Sequence, residues 1–313
     1  MKHDLLSVPE LNAKERNLLE RNYVIHMALT PEQRRAQIAR LGATLRAVLT
    51  KGQSGFTAEE IAALPRLGII CSSGVGFEGI DLAAALQRGI FVTNSPDANA
   101  SSVADNAMGL LLAVVRNIPY HDRVVREGGY RVADTLPGQL TGRRLGVLGL
   151  GRIGLRIARR AEGFDMDIAY HNRQRRSDVP YAWAESPLAL AKRSDFLVVA
   201  VPGGPATRHI VNAEVLAALG PDGYLVNAGR GSAVDTQALI AALRDQRIAG
   251  AGLDVVEEEP NIPLALRELP NVVFTPHIGG QSPESVLAKT EMVMRNLDAY
   301  FAGQPVLTPI TGA

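Results

Sequence analysis

Three side chains stand where acid–base work on a carbonyl would need them: Arg230 in NAGRG, Glu259 in DVVEEEP and His277 in TPHIGG. Reducing a 2-oxo acid requires a cation to hold the carboxylate and polarise the ketone. It also requires an acid to protonate the forming alkoxide. A guanidinium supplies the planar fork for the first task. An imidazole supplies the proton near neutral pH, more readily when a carboxylate such as Glu259 pairs with it and raises its pKa. Each residue also has a plainer reading. An arginine between glycines often faces solvent, a lone histidine often packs or caps, and three consecutive glutamates usually face water.

A second chemical feature lies upstream. Gly149, Gly151 and Gly154 form G-x-G-x-x-G directly after the apolar run LGVLGL and at the start of RIGLRIARRAEGF. In that strand-to-helix setting the first glycine permits a tight turn and the second lets a pyrophosphate approach the backbone. The third allows close packing of helix on strand. The helix N-terminus then offers N–H groups and a partial positive charge to phosphate. About 20 residues further, an NAD-preferring turn carries Asp or Glu for the ribose hydroxyls. Asn172 stands there instead, 18 residues beyond Gly154, followed by Arg173, Arg175 and Arg176. A neutral amide beside guanidinium groups suits a 2′-phosphate, so NADP(H) is preferred and NAD(H) remains possible. The alternative is a solvated basic loop.

The elements that would position these residues alternate along the chain. Tyr23–His26, Leu45–Leu49, Leu67–Cys71 and Ile90–Thr93 read as strands, with helices over Pro31–Leu41, Thr57–Ala63 and Ile80–Gln87. Later, LGVLGL, DIAYHN, DFLVVAV, GYLVNA, AGAGLDVV and VVFTPHI read as strands separated by helical patterns. Alternation at this spacing implies parallel sheets covered on both faces, hence α/β architecture with two doubly wound domains. Arg230, Glu259 and His277 each follow such a strand, where ligand crevices form in open α/β sheets. NSPDANASSVAD, feeding a long apolar helix Val103–Arg116, and GGQSPES, before a terminal helix Glu284–Phe301, are the boundary candidates. The polar stretch Ile118–Gly142 reads as a mobile loop or an arm on a partner subunit.

Composition narrows the classes. The 313 residues are 46% hydrophobic, enough for about two domains, and carry 33 Lys plus Arg against 32 Asp plus Glu. That balance argues against a nucleic-acid binder. The single cysteine, Cys71, excludes an intrachain disulfide. The charged N-terminus lacks a signal core, and no apolar run reaches membrane-spanning length, so a cytoplasmic protein without membrane partners is expected. No metal-ligand spacing stands out.

Taken together, SSGVGFEGID, NSPDANASSVAD, GLGRIG, SDFLVVAVP, VNAGRG, GLDVVEEEP and TPHIGG resemble the D-isomer-specific 2-hydroxyacid dehydrogenase family, in the family's order and over nearly the whole chain. The flavour is that of the glyoxylate/hydroxypyruvate and hydroxyphenylpyruvate reductases. The resemblance implies a flavodoxin-like substrate domain (1–98 plus 285–313) and a Rossmann domain (99–284). It implies Arg230, Glu259 and His277 as the catalytic trio, with substrate carboxylate received by N–H groups around Val75 and Gly76. Arg152 and Ile153 would meet pyrophosphate, and Asp254 the nicotinamide carboxamide. Val201, Pro202 and Ala228 would line the cofactor cleft with Val103 near the nicotinamide, and Thr207 and Gly279 complete the expected cofactor set. A homodimer built on Val103–Arg116 and the following arm is also implied.

Two departures bear on substrate and cofactor. Gly280 stands where many members carry serine, which leaves the 2-oxo acid open. Arg208 beside Thr207 either joins phosphate binding or faces solvent. Lys51 lies either at the rim of the substrate pocket, where it would bind an acidic group, or simply on the surface. The competing functional readings are an NAD(P)-sensing, corepressor-like binding protein on the same fold and a dehydrogenase for another 2-hydroxy acid.

Overall fold

The structure is a computed structural model that describes residues 2–52, 54–130 and 136–311. The chain divides into two compact units, Met1–Asn99 with Gln281–Ala313, and Ala100–Gly280.

In the first unit, strands β1 (His3–Ser7), β2 (Tyr23–Met27), β3 (Ala47–Thr50), β4 (Ile69–Ser72) and β5 (Phe91–Thr93) form one sheet in the order β2-β1-β3-β4-β5. Its strand pairings are all parallel. Helices α1 (Ala13–Leu19), α2 (Pro31–Leu41), α3 (Ala58–Ala62) and α4 (Leu82–Gln87) connect the strands. Capping boxes start α1, α2 and α3, pairing Asn12 with Glu15, Thr30 with Gln33 and Thr57 with Glu60. The period-2 alternation of strand side chains divides the core. Leu6, Val48, Ile70 and Val92 meet Ile38, Ile61 and Ala85 on one face. Leu5, Leu49, Ile69 and Cys71 meet Leu19, Val293 and Leu297 on the other, so the terminal helix Pro283–Phe301 packs against this sheet. The strand order reverses between β1 and β3, which makes their carboxyl ends the switch point of this flavodoxin-like sheet.

Among its described residues the second unit has seven strands: β6 (Arg144–Leu148), β7 (Asp167–His171), β8 (Ala182–Trp183), β9 (Phe196–Val199), β10 (Tyr224–Asn227), β11 (Gly250–Leu253) and β12 (Val272–Phe274). They run parallel in the order β12-β11-β10-β9-β6-β7-β8, the doubly wound Rossmann arrangement with its switch point between β6 and β9. Helices α5 (Ala100–Val115), α6 (Ile118–Arg126), α7 (Arg152–Glu162), α8 (Pro187–Lys192), α9 (Ala213–Leu219), α10 (Thr236–Arg244) and α11 (Leu264–Arg267) complete it. On one face Val147, Val198 and Val226 pack on α5 and α7 through Leu110, Leu111 and Ile157. On the other, Leu197, Val199, Leu225 and Leu253 pack on α9 and α10 through Leu216 and Leu239.

Two regions differ from the expectation. His3–Ser7 is an interior strand although it follows a charged start, because Leu5 and Leu6 are each fully buried, one on either face. Ile118–Arg126, expected as part of a mobile loop or of an arm on a partner subunit, is the amphipathic helix α6, and its Ile118 and Val125 are more than half exposed. Residues 131–135 of the same stretch lie outside the described residues. Among the described residues, no helix is long and apolar enough to cross a membrane, and no three His, Cys, Asp or Glu side chains are grouped to hold a metal.

Candidate active site

The glycine-rich turn occupies the switch point of the second unit. Gly149 has φ +97°, and a Cβ there would fall 2.9 Å from the Ala200 carbonyl carbon beyond β9, so glycine is required on both counts. At Gly154 a Cβ would meet the Gly149 oxygen at 2.1 Å, which lets α7 start hard against the turn. Gly151, by contrast, has open space where its Cβ would point, and as N-cap of α7 it supplies no side-chain hydrogen bond. The first-turn N–H groups at Arg152 and Ile153 therefore lie next to unfilled space at the positive end of a helix. Donors, dipole and room fit a pyrophosphate. Val201 and Ala228 are buried beside this turn, Pro202 is exposed, and Thr207 donates its hydroxyl to the Pro202 carbonyl at 2.7 Å.

The residues after β7 divide into two sorts. The Asn172 side-chain oxygen accepts the Leu150 N–H at 2.7 Å, tying the end of β7 to the glycine-rich turn. Arg176 is committed locally: it pairs with Asp178 at 2.5 Å and donates to the Leu150 carbonyl at 2.9 Å. Arg173 and Arg175 are exposed and stand at the same loop. Arg208 pairs with Glu257 at 2.7 Å, as does His209 at 2.9 Å, so neither side chain merely faces solvent.

The three chemical side chains sit on consecutive turns after β10, β11 and β12. Asn227, buried at the end of β10, shapes the first turn by accepting the Gly229 N–H at 3.2 Å and donating to the Arg230 carbonyl at 3.1 Å. The Arg230 stem packs beside Gly203, within 3.3 Å of where a Cβ there would lie. His277 follows β12 with φ +55°, a left-handed conformation uncommon outside glycine. Asp254, 5% exposed, holds it there. Its carbonyl accepts the His277 N–H at 2.9 Å, and its carboxylate accepts the Thr275 hydroxyl at 2.6 Å and the Ile278 and Gly279 N–H groups at 3.0 Å each.

His277 Nδ1 lies 2.7 Å from Glu259 Oε1, with both side chains partly exposed. The hydrogen bond to Glu259 raises the imidazole pKa above its ordinary value, with further help from the Glu259 and Asp254 charges. Partial burial and the Arg230 guanidinium work against that rise. Nδ1 is thus the ring nitrogen turned to the carboxylate, which orients the imidazole.

Sequence reasoning missed the supports. Ser102 on α5 donates to the Gly279 carbonyl at 2.6 Å, and Asn106, one turn on, donates to the Thr275 hydroxyl at 3.1 Å. Val103, between them, points into the α5 core and is buried. Only the placement of α5 against the turn after β12 reveals these contacts; no local motif marks them.

In the first unit, the loop after β4 presents a row of backbone donors. The carbonyls of Gly74, Val75 and Gly76 accept the Ser95 N–H at 2.8 Å, the Asn94 amide at 2.7 Å and the Ser72 hydroxyl at 2.6 Å. A trans peptide points its N–H opposite its C=O. Fixing the Gly74 and Val75 carbonyls therefore turns the Val75 and Gly76 N–H groups the other way, where they meet no acceptor among the described residues. Two adjacent donors of this kind suit a carboxylate.

Comparison with known proteins bears on this arrangement. The pattern of the family described as D-isomer specific 2-hydroxyacid dehydrogenase, NAD binding domain, matches residues 108–279. Hydroxyphenylpyruvate reductase of Plectranthus scutellarioides is 43% identical over 293 residues, 93% of this chain and 94% of that protein. Glyoxylate/hydroxypyruvate reductase A of Arabidopsis thaliana is 44% identical over 268 residues, 85% of this chain and 86% of the relative. The crystal structure of an NADPH-dependent glyoxylate/hydroxypyruvate reductase from Sinorhizobium meliloti, in complex with NADP and malonate, superposes with a TM-score of 0.88. It is 38% identical, covering 99% of this chain and 97% of that one.

Proposed function

The chain belongs to the D-isomer specific 2-hydroxyacid dehydrogenase family, and we propose from that premise that it reduces small 2-oxo acids, glyoxylate and hydroxypyruvate among them, to D-2-hydroxy acids with NADPH in preference to NADH. The observation that carries the reading is the His277–Glu259 pair at 2.7 Å, set on the turn next to Arg230's. The relatives' printed activities support the same class of acid, and the Sinorhizobium meliloti structure supports NADP as the cofactor type.

In this reading the 1–98 and 285–313 segments form the substrate domain, where the Val75 and Gly76 N–H groups receive the acid's carboxylate. Arg230 holds the 2-oxo group and favours negative charge on its oxygen. His277, protonated and held by Glu259, gives its Nε2 proton to that oxygen; in the oxidative direction it takes the proton back. Residues 99–284 hold the dinucleotide, whose nicotinamide supplies or accepts the hydride. Arg152 and Ile153 receive the pyrophosphate on their N–H groups, and Arg173 answers the 2′-phosphate. Val103, Val201, Pro202, Thr207, Ala228, Asp254 and Gly279 complete that site. Asp254 acts chiefly by fixing the turn that carries His277. The molecule works as a homodimer, a reading supported by the exposed apolar residues Ile118, Val125, Tyr130 and Leu136.

The test is the oxidation of NADPH and NADH, followed by absorbance, against a panel of 2-oxo acids. Turnover of glyoxylate or hydroxypyruvate with a higher kcat/KM for NADPH supports the reading. Absence of turnover with every acid and both cofactors, together with stable capture of a protein partner, would favour the nucleotide-sensing alternative.

A further inference from the structure

Two backbone donors receive a carboxylate only while their peptides keep one orientation, and a loop with glycine at both Gly74 and Gly76 does not hold itself. The restraint comes from the two residues after β5. The Ser95 N–H donates to the Gly74 carbonyl at 2.8 Å, and the Asn94 side-chain amide donates to the Val75 carbonyl at 2.7 Å. Each carbonyl shares a peptide plane with the next N–H, so Ser95 sets the Val75 donor and Asn94 sets the Gly76 donor. Ser95 acts through its backbone. Asn94 acts through its side chain, and that side chain can be changed.

β5 is the edge strand of its sheet, and the segment after the helix Pro283–Phe301 covers it. Thr93 pairs antiparallel with Pro309, and the Ile310 N–H donates to the Val92 carbonyl at 2.7 Å. Val306 packs on one face of the sheet with Val293 and Leu297, while Ile310 packs against the core on the other. Between these anchors, Thr308 donates its hydroxyl to the Asn94 carbonyl at 2.6 Å. Thr308 is itself held by the buried Asn296. The Asn296 amide donates to the Thr308 hydroxyl at 2.9 Å, and its side-chain oxygen accepts the Leu307 and Thr308 N–H groups at 2.9 and 3.1 Å. A hydroxyl that accepts one hydrogen bond and donates the next links its partners into one unit. The backbone pairing and the apolar anchors would suffice to cover the edge. The amides and the hydroxyl add a connection that ends on the Gly74–Gly76 loop.

We infer that Asn94 is a positioning residue for the substrate carboxylate and that Thr308 acts through it, so that the relay Asn296–Thr308–Asn94 sets affinity for the 2-oxo acid by aiming the Gly76 N–H. This inference rests on the proposed 2-oxo acid reduction and deepens it by naming the residues that hold its carboxylate-binding loop.

The test measures KM and kcat for glyoxylate and hydroxypyruvate with NADPH in the full-length protein, with thermal midpoints alongside. Asn94→Ala should raise the KM for the acid about tenfold, as loss of a hydrogen bond does, with a smaller change in kcat and an unchanged KM for NADPH. Thr308→Val, which keeps the shape and removes the hydroxyl, should raise the same KM about threefold, and Thr308→Ser should restore it. The double variant Asn94→Ala with Thr308→Val should bind the acid no worse than Asn94→Ala alone, because both changes cut one path. If Asn94→Ala does not fold, Thr308→Val against Thr308→Ser decides the matter. A KM for the acid that stays at the wild-type value while the thermal midpoint falls, or factors that multiply in the double variant, overturns the inference. If the wild type reduces glyoxylate or hydroxypyruvate in that case, the inference falls alone; if it reduces no 2-oxo acid, the proposed function falls and the inference with it.

Discussion

The Asp254 carbonyl accepts the backbone N–H of His277 at 2.9 Å, and the Asp254 carboxylate takes the next two N–H groups of the same turn. One buried residue thereby holds the histidine in its left-handed conformation. Asp254→Ala would orphan the Thr275 hydroxyl and both N–H groups. Unfolding free energy should fall by about 2–4 kcal/mol, measured by denaturant titration, with kcat reduced more than KM. Asp254→Asn keeps one acceptor oxygen and should sit between that variant and wild type.

In the proposed reaction Glu259 would set the pH range. Because it raises the His277 pKa, the protonated imidazole persists to higher pH than an isolated histidine would. Reduction, which consumes that proton, should decline as pH rises through the raised value. Oxidation, which needs the neutral ring, should rise over the same interval. Glu259→Gln removes the larger part of the effect, so both limbs should move to lower pH in rate profiles. Limbs that stay in place would show that another group titrates.

The loop after β7 separates two kinds of arginine. Arg176 is bound to Asp178 and to the Leu150 carbonyl, so Arg176→Ala should loosen the glycine-rich turn and weaken NADPH and NADH alike. Arg173 is exposed, and Arg173→Ala should raise the KM for NADPH by about tenfold while leaving the KM for NADH nearly unchanged. Asn172→Asp keeps the acceptor for the Leu150 N–H and adds a negative charge, so it should shift preference towards NADH. Initial rates with both cofactors check all three.

Much of this was legible from local pattern. Apolar runs bounded by turn residues marked most of the parallel strands, and the turns after β10, β11 and β12 marked Arg230, Glu259 and His277. What escaped depended on distance in the chain. Asn106 and Thr275 are 169 residues apart, and Ser102 and Gly279 are 177 apart, so nothing in either neighbourhood announces the bond. Arg176 escaped for a different reason: all three arginines look alike in sequence, and only geometry shows that Asp178 and Leu150 engage one of them. The strand His3–Ser7 was hidden by its charged start, although Leu5 and Leu6 lie on opposite faces of a covered sheet.

The most direct measurement is glyoxylate reduction by His277→Ala, with NADPH binding followed in parallel by nucleotide fluorescence. The account predicts that kcat falls by about 10²–10⁴-fold while NADPH affinity and the thermal midpoint stay close to wild type. Turnover that survives the substitution would contradict the assignment of His277 as the proton donor.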